Sequence, residues 1–136
     1  MTTMTTQAVL VVEDDPTLAR TITHNLSARG YAARDATTVA EALAVLDEER
    51  PAVLLLDIDL PDGSGWDIVR SLCPADRDEV AVIVMSALQP NPRLCHEFHA
   101  AGVLEKPFPM ESLLRLVAQA TGRRAAPDPA DVMNTD

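Results

Sequence analysis

Residues 53–65 read VLLLDIDLPDGSG, in which four apolar residues run directly into an acidic loop marked by proline and glycine. An apolar run of this length, with Pro51 before it and turn-forming residues after it, predicts a strand buried on both faces of a sheet. Asp57 then stands at the carboxyl end of that strand. Ligands of open α/β sheets bind at this edge, because the loops there form a crevice. Asp57 is therefore the predicted reactive centre.

Short apolar runs alternate with amphipathic helical patterns on both sides of this stretch. The predicted strands are Ala8–Val12, Tyr31–Asp35, Val53–Leu56, Val80–Met85 and Val103–Glu105. The predicted helices begin at Pro16, at Thr37 or Thr38, at Gly65, at Pro90 and at Met110, and the last two end at Ala101 and Ala120. This alternation predicts a doubly wound α/β fold with parallel strands and helices on both faces. The domain spans residues 8–121, between a disordered N-terminus at 1–7 and a disordered tail or linker at 122–136.

Local signals define three of these helices more closely. Pro16 suits the first turn of a helix, so Asp15 is the predicted N-cap of the first one. Pro74 is expected to interrupt the third. The predicted apolar stripe of the second helix comprises Val39, Ala42, Leu43 and Leu46.

Composition limits the classes of function. The chain has 136 residues, which suits one domain, and its net charge of −10 argues against nucleic-acid contact, since such contact needs basic residues to neutralise phosphates. Only Cys73 and Cys95 are present, without a pairing framework, so a reducing cytoplasm is expected. No apolar run reaches the ~18 residues of a membrane span. The residues before Ala8 do not have the pattern of a secretion signal.

Polar side chains stand at the ends of four of the five predicted strands. They are Glu13 with Asp14, Asp57, Ser86 and Lys106, which is the only lysine in the chain. Clustered carboxylates repel one another, and a hard divalent cation with oxygen ligands, Mg²⁺, resolves that repulsion. An Asp57 oxygen in line with a phosphorus atom can form an acyl phosphate, with the Ser86 hydroxyl and the Lys106 ammonium stabilising its charge.

These motifs resemble the receiver domains of two-component response regulators over about Ala8–Ala120. The matching segments are VLVVEDDP, LLLDIDLPDGSG, IVMSA and LEKPF. The resemblance implies a CheY-like, flavodoxin-like strand order 2-1-3-4-5, with Asp57 as phosphoacceptor and Ser86 and Lys106 as its assistants. It implies Mg²⁺ held by Glu13, Asp14, Asp57 and the backbone carbonyl of Asp59. The implied phosphoryl donor is a sensor histidine kinase or a phosphotransfer protein. The output protein or output domain is unknown. The resemblance is also compatible with a homodimer.

Two departures from the family pattern concern switching. The aromatic residue that usually lies three positions before the lysine is replaced by Val103. The spacing from Ser86 to Lys106 is contracted to 106 − 86 = 20 positions. The helix at Pro90–Ala101 is therefore expected to be the element that responds to phosphorylation.

Two alternative functions stay open. The Asp-x-Asp of LLLDIDLPDG also resembles the nucleophile motif of haloacid-dehalogenase-type, Mg²⁺-dependent phosphohydrolases, although here the acidic pair comes first and no capping insert is present. A receiver that binds partners without being phosphorylated is the other alternative. The favoured interpretation is a phosphoacceptor that assists its own phosphorylation and dephosphorylation and is not an enzyme acting on other substrates.

Overall fold

The computed structural model describes residues 7–72 and 74–122, in which strands and helices alternate. The strands of these residues are β1 (Ala8–Val12), β2 (Ala32–Ala36), β3 (Val53–Asp57), β4 (Asp59–Leu60), β5 (Gly63–Ser64), β6 (Ala81–Ser86) and β7 (Gly102–Glu105). The helices are α1 (Pro16–Ala28), α2 (Val39–Glu48), α3 (Gly65–Ser71), α4 (Pro74–Glu79), α5 (Pro92–Glu97) and α6 (Met110–Ala120). The expectations for residues 1–6, for Cys73 and for residues 123–136 lie outside the described residues.

Five parallel strands form the main sheet, in the order β2-β1-β3-β6-β7. Strand β3 lies at its centre, paired with β1 on one side and with β6 on the other. Counted within this sheet alone, the order is the 2-1-3-4-5 that the resemblance implies, so the predicted fold class is confirmed. Asp57 occupies the last paired position of β3, opposite Met85 of β6. The sheet therefore presents Asp57 at its carboxyl edge.

The side chains of β3 alternate between two hydrophobic cores. Leu54 and Leu56 pack with residues of α2 and α3, while Val53 and Leu55 pack with residues of α1 and α6. All four are fully buried, and burying each such side chain contributes about 1.5–3 kcal/mol. Because both faces of the strand are covered, its sequence is continuously apolar.

Two predicted strands begin one residue later than expected. The N–H of Tyr31 donates to the carbonyl oxygen of Leu26 at 3.1 Å, so Tyr31 closes the turn after α1. The N–H of Val80 likewise donates to the backbone carbonyl oxygen of Asp76 at 3.0 Å, at the end of α4. The first and last elements of the domain, β1 and α6, have their predicted bounds. The chain joins the sheet at Gln7, whose carbonyl oxygen accepts the N–H of Ala32 at 2.9 Å.

The helix after β6 is shorter than predicted. It covers Pro92–Glu97 instead of Pro90–Ala101, with Asn91 as its N-cap. His99 has a positive φ of 53°, a conformation that does not continue a helix. The N–H of Ala101 already donates to Val82 of the sheet at 2.7 Å. Helix α5 is thus a six-residue element without a buried residue.

Three further details were wrong or missing in the prediction. Leu43 was assigned to the apolar stripe of α2, but 37% of its surface is exposed, because the helix turns Ala42 toward the sheet instead. The β4–β5 hairpin was not predicted, since two-residue strands carry no periodicity. Helix α4, which follows the interruption at Pro74, was not predicted either. In the described part of the chain, no helix has the length and apolar character needed to cross a membrane.

Candidate functional site

Asp57 is held between the central strand and the start of α3. Only 5% of its surface is exposed. A Cβ atom at Gly65 would overlap the carbonyl oxygen of Asp57, so glycine is what allows α3 to begin so close to the strand. The N–H of Asp59 donates to Asp57 Oδ1 at 3.1 Å. The loop after the strand therefore orients one of the two carboxylate oxygens.

The three acidic residues after β1 have different environments. Glu13 is fully buried, and its Oε2 accepts the N–H of Asp15 at 3.1 Å. Asp14 is exposed and lies at the mouth of the site. Asp15 is the N-cap of α1, because its Oδ1 accepts the N–H groups of Thr17 and Leu18 at 3.0 and 3.4 Å. The N-cap predicted for Asp15 is thus confirmed.

Lys106 joins the ends of three strands through its ammonium group. Its Nζ lies 2.5 Å from Glu13 Oε1 and 3.1 Å from Asp57 Oδ2. The first contact is a close ion pair without hydrogen-bond geometry, whereas the second is also a hydrogen bond. The backbone N–H of Lys106 donates to the carbonyl oxygen of Ser86 at 2.8 Å, and the following peptide bond to Pro107 is cis.

Burial and the ammonium group act in opposite directions on these carboxyl groups. Burial raises the pKa of Glu13 to about 7, although the Lys106 ammonium opposes the shift. Burial likewise raises the pKa of Asp57, again against Lys106. The pKa of Asp14 is lowered, first by its hydrogen bond with Glu13. Burial acts to lower the pKa of Lys106, but the close ion pair with Glu13 and the hydrogen-bonded ion pair with Asp57 outweigh it, so that pKa is raised.

The acidic residues form a set of oxygen donors suited to a divalent cation. Glu13, Asp14 and Asp57 each offer a carboxylate oxygen, and these oxygens lie within 4.8 Å of one another. Three carboxylates face a single ammonium, so the ionised cluster keeps an excess of negative charge. Hard oxygen ligands of this kind fit Mg²⁺. The role of the Asp59 carbonyl as a further ligand stays a prediction.

Ser86 lies at the same sheet edge, but its hydroxyl is engaged in the next loop. The side chain is buried at the end of β6. Its Oγ donates to the carbonyl oxygen of Leu88 and accepts the N–H of Leu88 at 3.2 Å. The structure thus brings Ser86 next to the strand end of Asp57 with the hydroxyl turned to its own loop.

Two features near the site were not foreseen as contacts. The carboxylate of Asp62, interpreted from sequence as a turn former, accepts the N–H groups of Val39 and Ala40 at 2.7 and 3.0 Å. Trp66 stacks on Phe98, with ring centroids 5.5 Å apart. The PDG turn and the aromatic residues were visible signals, but their partners lie 22 to 32 positions away in the sequence.

The sequence of residues 9–118 matches the family described as response regulator receiver domain. This chain belongs to that receiver family. The assignment agrees with the strand order and with the carboxylate and lysine at the sheet edge. It excludes the haloacid-dehalogenase alternative, since the fold and the family are those of receivers.

Similar proteins support the same assignment. The transcriptional regulatory protein KdpE of Mycobacterium tuberculosis is 35% identical over 120 residues, which cover 87% of this chain and 52% of KdpE. The acid tolerance regulatory protein ActR of Rhizobium meliloti is 29% identical over 132 residues, covering 96% and 67%. The receiver thus spans about half the length of KdpE and two thirds of ActR.

Solved structures resemble the receiver over nearly their whole length. The BeF₃-activated receiver domain of DrrB superposes with a TM-score of 0.75 at 30% identity, covering 88% of this chain and 100% of DrrB's domain. The chemotaxis response regulator CheY4 of Vibrio cholerae superposes with a TM-score of 0.77 at 24% identity, covering 85% and 99%, and supports the fold alone.

Proposed function

We propose that Asp57 accepts a phosphoryl group from the phosphohistidine of a sensor histidine kinase or a phosphotransfer protein, in a reaction that requires Mg²⁺. The observation that carries the proposal is the contact between Asp57 Oδ2 and Lys106 Nζ, at 3.1 Å, inside a cluster of three carboxylates. Asp57 is buried and the Lys106 side chain is only 21% exposed, and an ion pair largely withdrawn from water is costly. Its place at the carboxyl edge of a receiver sheet favours a chemical role.

Each residue of the site has a part in this transfer. A bond forms between a carboxylate oxygen of Asp57 and phosphorus as the bond from phosphorus to the donor's imidazole nitrogen breaks, and the electron pair stays on that nitrogen. The Lys106 ammonium lies beside Asp57 and stabilises the negative charge of the entering group. The Ser86 hydroxyl would have to leave its partner Leu88 to donate a hydrogen bond to the phosphoryl oxygens.

The carboxylates of Glu13, Asp14 and Asp57 would hold the cation, with the Asp59 carbonyl as a further ligand. Bound Mg²⁺ would supply positive charge that offsets the charge on the phosphoryl oxygens. Asp14 is the exposed member of the set and offers its oxygen toward solvent. Glu13 is the buried member and is already neutralised in part by Lys106.

The consequence of phosphorylation would be a conformational change read by another protein or domain. The receiver is a stoichiometric acceptor that assists its own phosphorylation and dephosphorylation, so hydrolysis of a generic phosphomonoester is not expected. Output would come through protein contacts, a phosphorelay or a further domain.

Intact-mass spectrometry after treatment with acetyl phosphate and Mg²⁺ tests the proposal. One phosphoryl group is expected on the wild-type chain and none on Asp57→Asn. Asp47→Asn is the matched control, because Asp47 is exposed on α2 and is not part of the site. A label that persists in Asp57→Asn contradicts the assignment. A wild type that takes no label, yet binds Mg²⁺, favours the receiver that binds partners without being phosphorylated.

A further inference from the structure

The β4–β5 hairpin connects Asp57 with the start of α3 and contacts the site through its first residue. Its two strands pair at Asp59 with Ser64 and at Leu60 with Gly63, which leaves Pro61 and Asp62 as a two-residue turn. The N–H that orients Asp57 Oδ1 belongs to Asp59, the first residue of this hairpin. A shift of the hairpin that reaches its first residue therefore moves the donor that orients the carboxylate.

The base of the hairpin is fixed by its own backbone. The N–H of Gly65 donates to the carbonyl oxygen of Ile58 at 2.8 Å. The close approach of Gly65 to the backbone of Asp57 adds a packing contact at the same place. These contacts restrain the base but not the turn at the other end.

The turn is held by Asp62. Its two carboxylate oxygens accept the first two N–H groups of α2, from Val39 at 2.7 Å and from Ala40 at 3.0 Å. These donors have no partner within a helix, and they hold the pKa of Asp62 below its usual range. The side chain of Val39 also lies against Gly63, since a Cβ there would be 3.4 Å from Val39 Cγ2. Helix α2 thus anchors the far end of the hairpin.

Helix α2 has its own cap, independent of the hairpin. Thr38 Oγ1 accepts the N–H of Glu41 at 3.0 Å. The Glu41 carboxylate accepts the N–H and the hydroxyl of Thr37 at 3.0 and 2.6 Å. The helix start is therefore stabilised locally, and the contact with Asp62 also connects it to the loop after Asp57.

We propose that Asp62 is a positioning residue for the phosphoacceptor site: it fixes the turn of the hairpin to α2 and thereby fixes the Asp59 N–H that orients Asp57. The proposal rests on the function proposed above. The alternative is that Asp62 serves only as a second cap of α2. In that case its loss would reduce the stability of the fold without moving Asp59.

Asp62→Ala separates these roles when it is compared with Thr38→Val. Both variants remove hydrogen bonds from the start of α2, but only Asp62→Ala releases the hairpin. NMR of the metal-free protein measures the hydrogen-exchange rate of the Asp59 backbone amide relative to the rates of the core amides of β3. Exchange at Asp59 is expected to rise about tenfold in Asp62→Ala and to stay unchanged in Thr38→Val. Asp62→Asn keeps one acceptor oxygen and is expected to give an intermediate value.

The second measurement is the rate of labelling by acetyl phosphate at saturating Mg²⁺. A rate lowered about tenfold in Asp62→Ala, partly restored in Asp62→Asn and normal in Thr38→Val, supports positioning. Unchanged Asp59 exchange in Asp62→Ala, with a loss of stability like that of Thr38→Val, overturns it. If the wild type takes no label, the proposed function fails, and Asp59 exchange still decides the role of Asp62. Should Asp62→Ala not fold, Asp62→Asn decides by the same two measurements.

Discussion

The neighbouring side chains of Glu13 and Asp14 show how one position along the chain changes the chemistry of a carboxyl group. Glu13 is fully buried and its pKa is raised to about 7, whereas Asp14 is exposed and its pKa is lowered. Both belong to the predicted cation site. The buried carboxyl group of Glu13 is expected to make the stability of the metal-free protein depend on pH. The exposed carboxylate of Asp14 offers an ionised oxygen to solvent.

Glu13→Gln is expected to stabilise the metal-free protein at pH 8. The ordinary pKa of Glu13 is 4.5, and the folded state raises it to about 7, so the folded state holds the proton more tightly than the unfolded state. Stability therefore falls as pH rises from about 4.5 to about 7. Gln stays neutral at every pH, so at pH 8 the free energy of unfolding of Glu13→Gln is expected to exceed that of the wild type by on the order of 3 kcal/mol. Urea unfolding in EDTA, from pH 5 to pH 8, measures it.

The control for this pH series is Glu41→Gln. The pKa of Glu41 is lowered by its hydrogen bonds with Thr37, so its titration is complete below the measured range. Its stability curve should run parallel to that of the wild type. If the curves of wild type and Glu13→Gln are also parallel between pH 5 and pH 8, the buried carboxyl group does not titrate there and the explanation is wrong.

Asp14→Asn is expected to weaken Mg²⁺ binding about tenfold or more, and Asp15→Asn much less. Asp14 contributes an oxygen to the acidic cluster, whereas the Asp15 carboxylate is occupied as the N-cap of α1. Asn is also a good N-cap, so Asp15→Asn should retain the helix. Calorimetric titration with Mg²⁺ compares the two variants. Equal losses of affinity would place the acidic cluster one residue out of register.

At the scale of elements, α5 has few anchors. It is six residues long and contains no buried residue, and Phe98, immediately after it, packs on the core from the end of the helix. The Phe98 ring stacks on Trp66, and the guanidinium groups of Arg70 and Arg77 lie 5.6 and 5.5 Å from its centroid. One ring therefore connects α5 to both α3 and α4.

Beryllofluoride with Mg²⁺ is expected to change hydrogen exchange mainly across Leu88–Ala101. Val103 is 45% exposed and has no ring to move inward, so the usual aromatic switch is absent at this position. An element with so little burial can shift as a unit at low cost. Exchange mass spectrometry, with and without beryllofluoride, measures the change. A response confined to Val103 and α6 would show that the segment around the usual aromatic position responds instead.

Phe98→Leu is expected to loosen α5 before any activation. The substitution keeps an apolar side chain but removes the ring stack and both cation–π contacts, which together contribute about 1–3 kcal/mol. Exchange across Leu88–Ala101 should then be faster without beryllofluoride, and the emission of Trp66, the only tryptophan, should change. Glu97→Ala is the matched control on the same helix, since Glu97 is exposed and the substitution leaves both the ring contacts and the apolar anchors intact. Unchanged exchange in Phe98→Leu would show that the ring does not hold α5.

At the scale of the whole molecule, the two cores share the strand β3. Leu55 belongs to the core beneath α1 and α6, while Trp66 belongs to the core beneath α2 and α3. Loss of either core exposes the same strand, so the domain should unfold as one unit.

Leu55→Ala is expected to lower the free energy of unfolding by about 2–5 kcal/mol. Because the cores share β3, Trp66 fluorescence should report this loss from the opposite face at the same urea midpoint as circular dichroism. Leu43→Ala, at an exposed position, should change the midpoint little. Separate midpoints for fluorescence and circular dichroism in Leu55→Ala would mean that the two faces unfold independently.

The sequence predicted this architecture well where the signal was local. The apolar run of β3 and the alternation around it predict parallel strands with helices on both faces, whereas the order 2-1-3-4-5 followed from the resemblance to receivers. Asp15 and Pro16 mark the start of α1. Contacts that join distant residues were not predictable in the same way. Packing between elements determines the hydrogen bonds of Asp62 with the start of α2 and the stacking of Trp66 on Phe98. The loop after β6 determines the direction of the Ser86 hydroxyl.

The position of Lys106 between two carboxylates makes amine chemistry informative about this receiver. Only unprotonated amines attack acylating reagents, and the raised pKa of Lys106 protects it relative to the α-amino group, whose ordinary pKa is about 8. Because the chain has one lysine, every acylated lysine reports on the site itself. Removing the charge of Glu13 or Asp57 should accelerate that acylation. A general amine reagent thus becomes a probe of the ion pairs around the phosphoacceptor, without any engineered label.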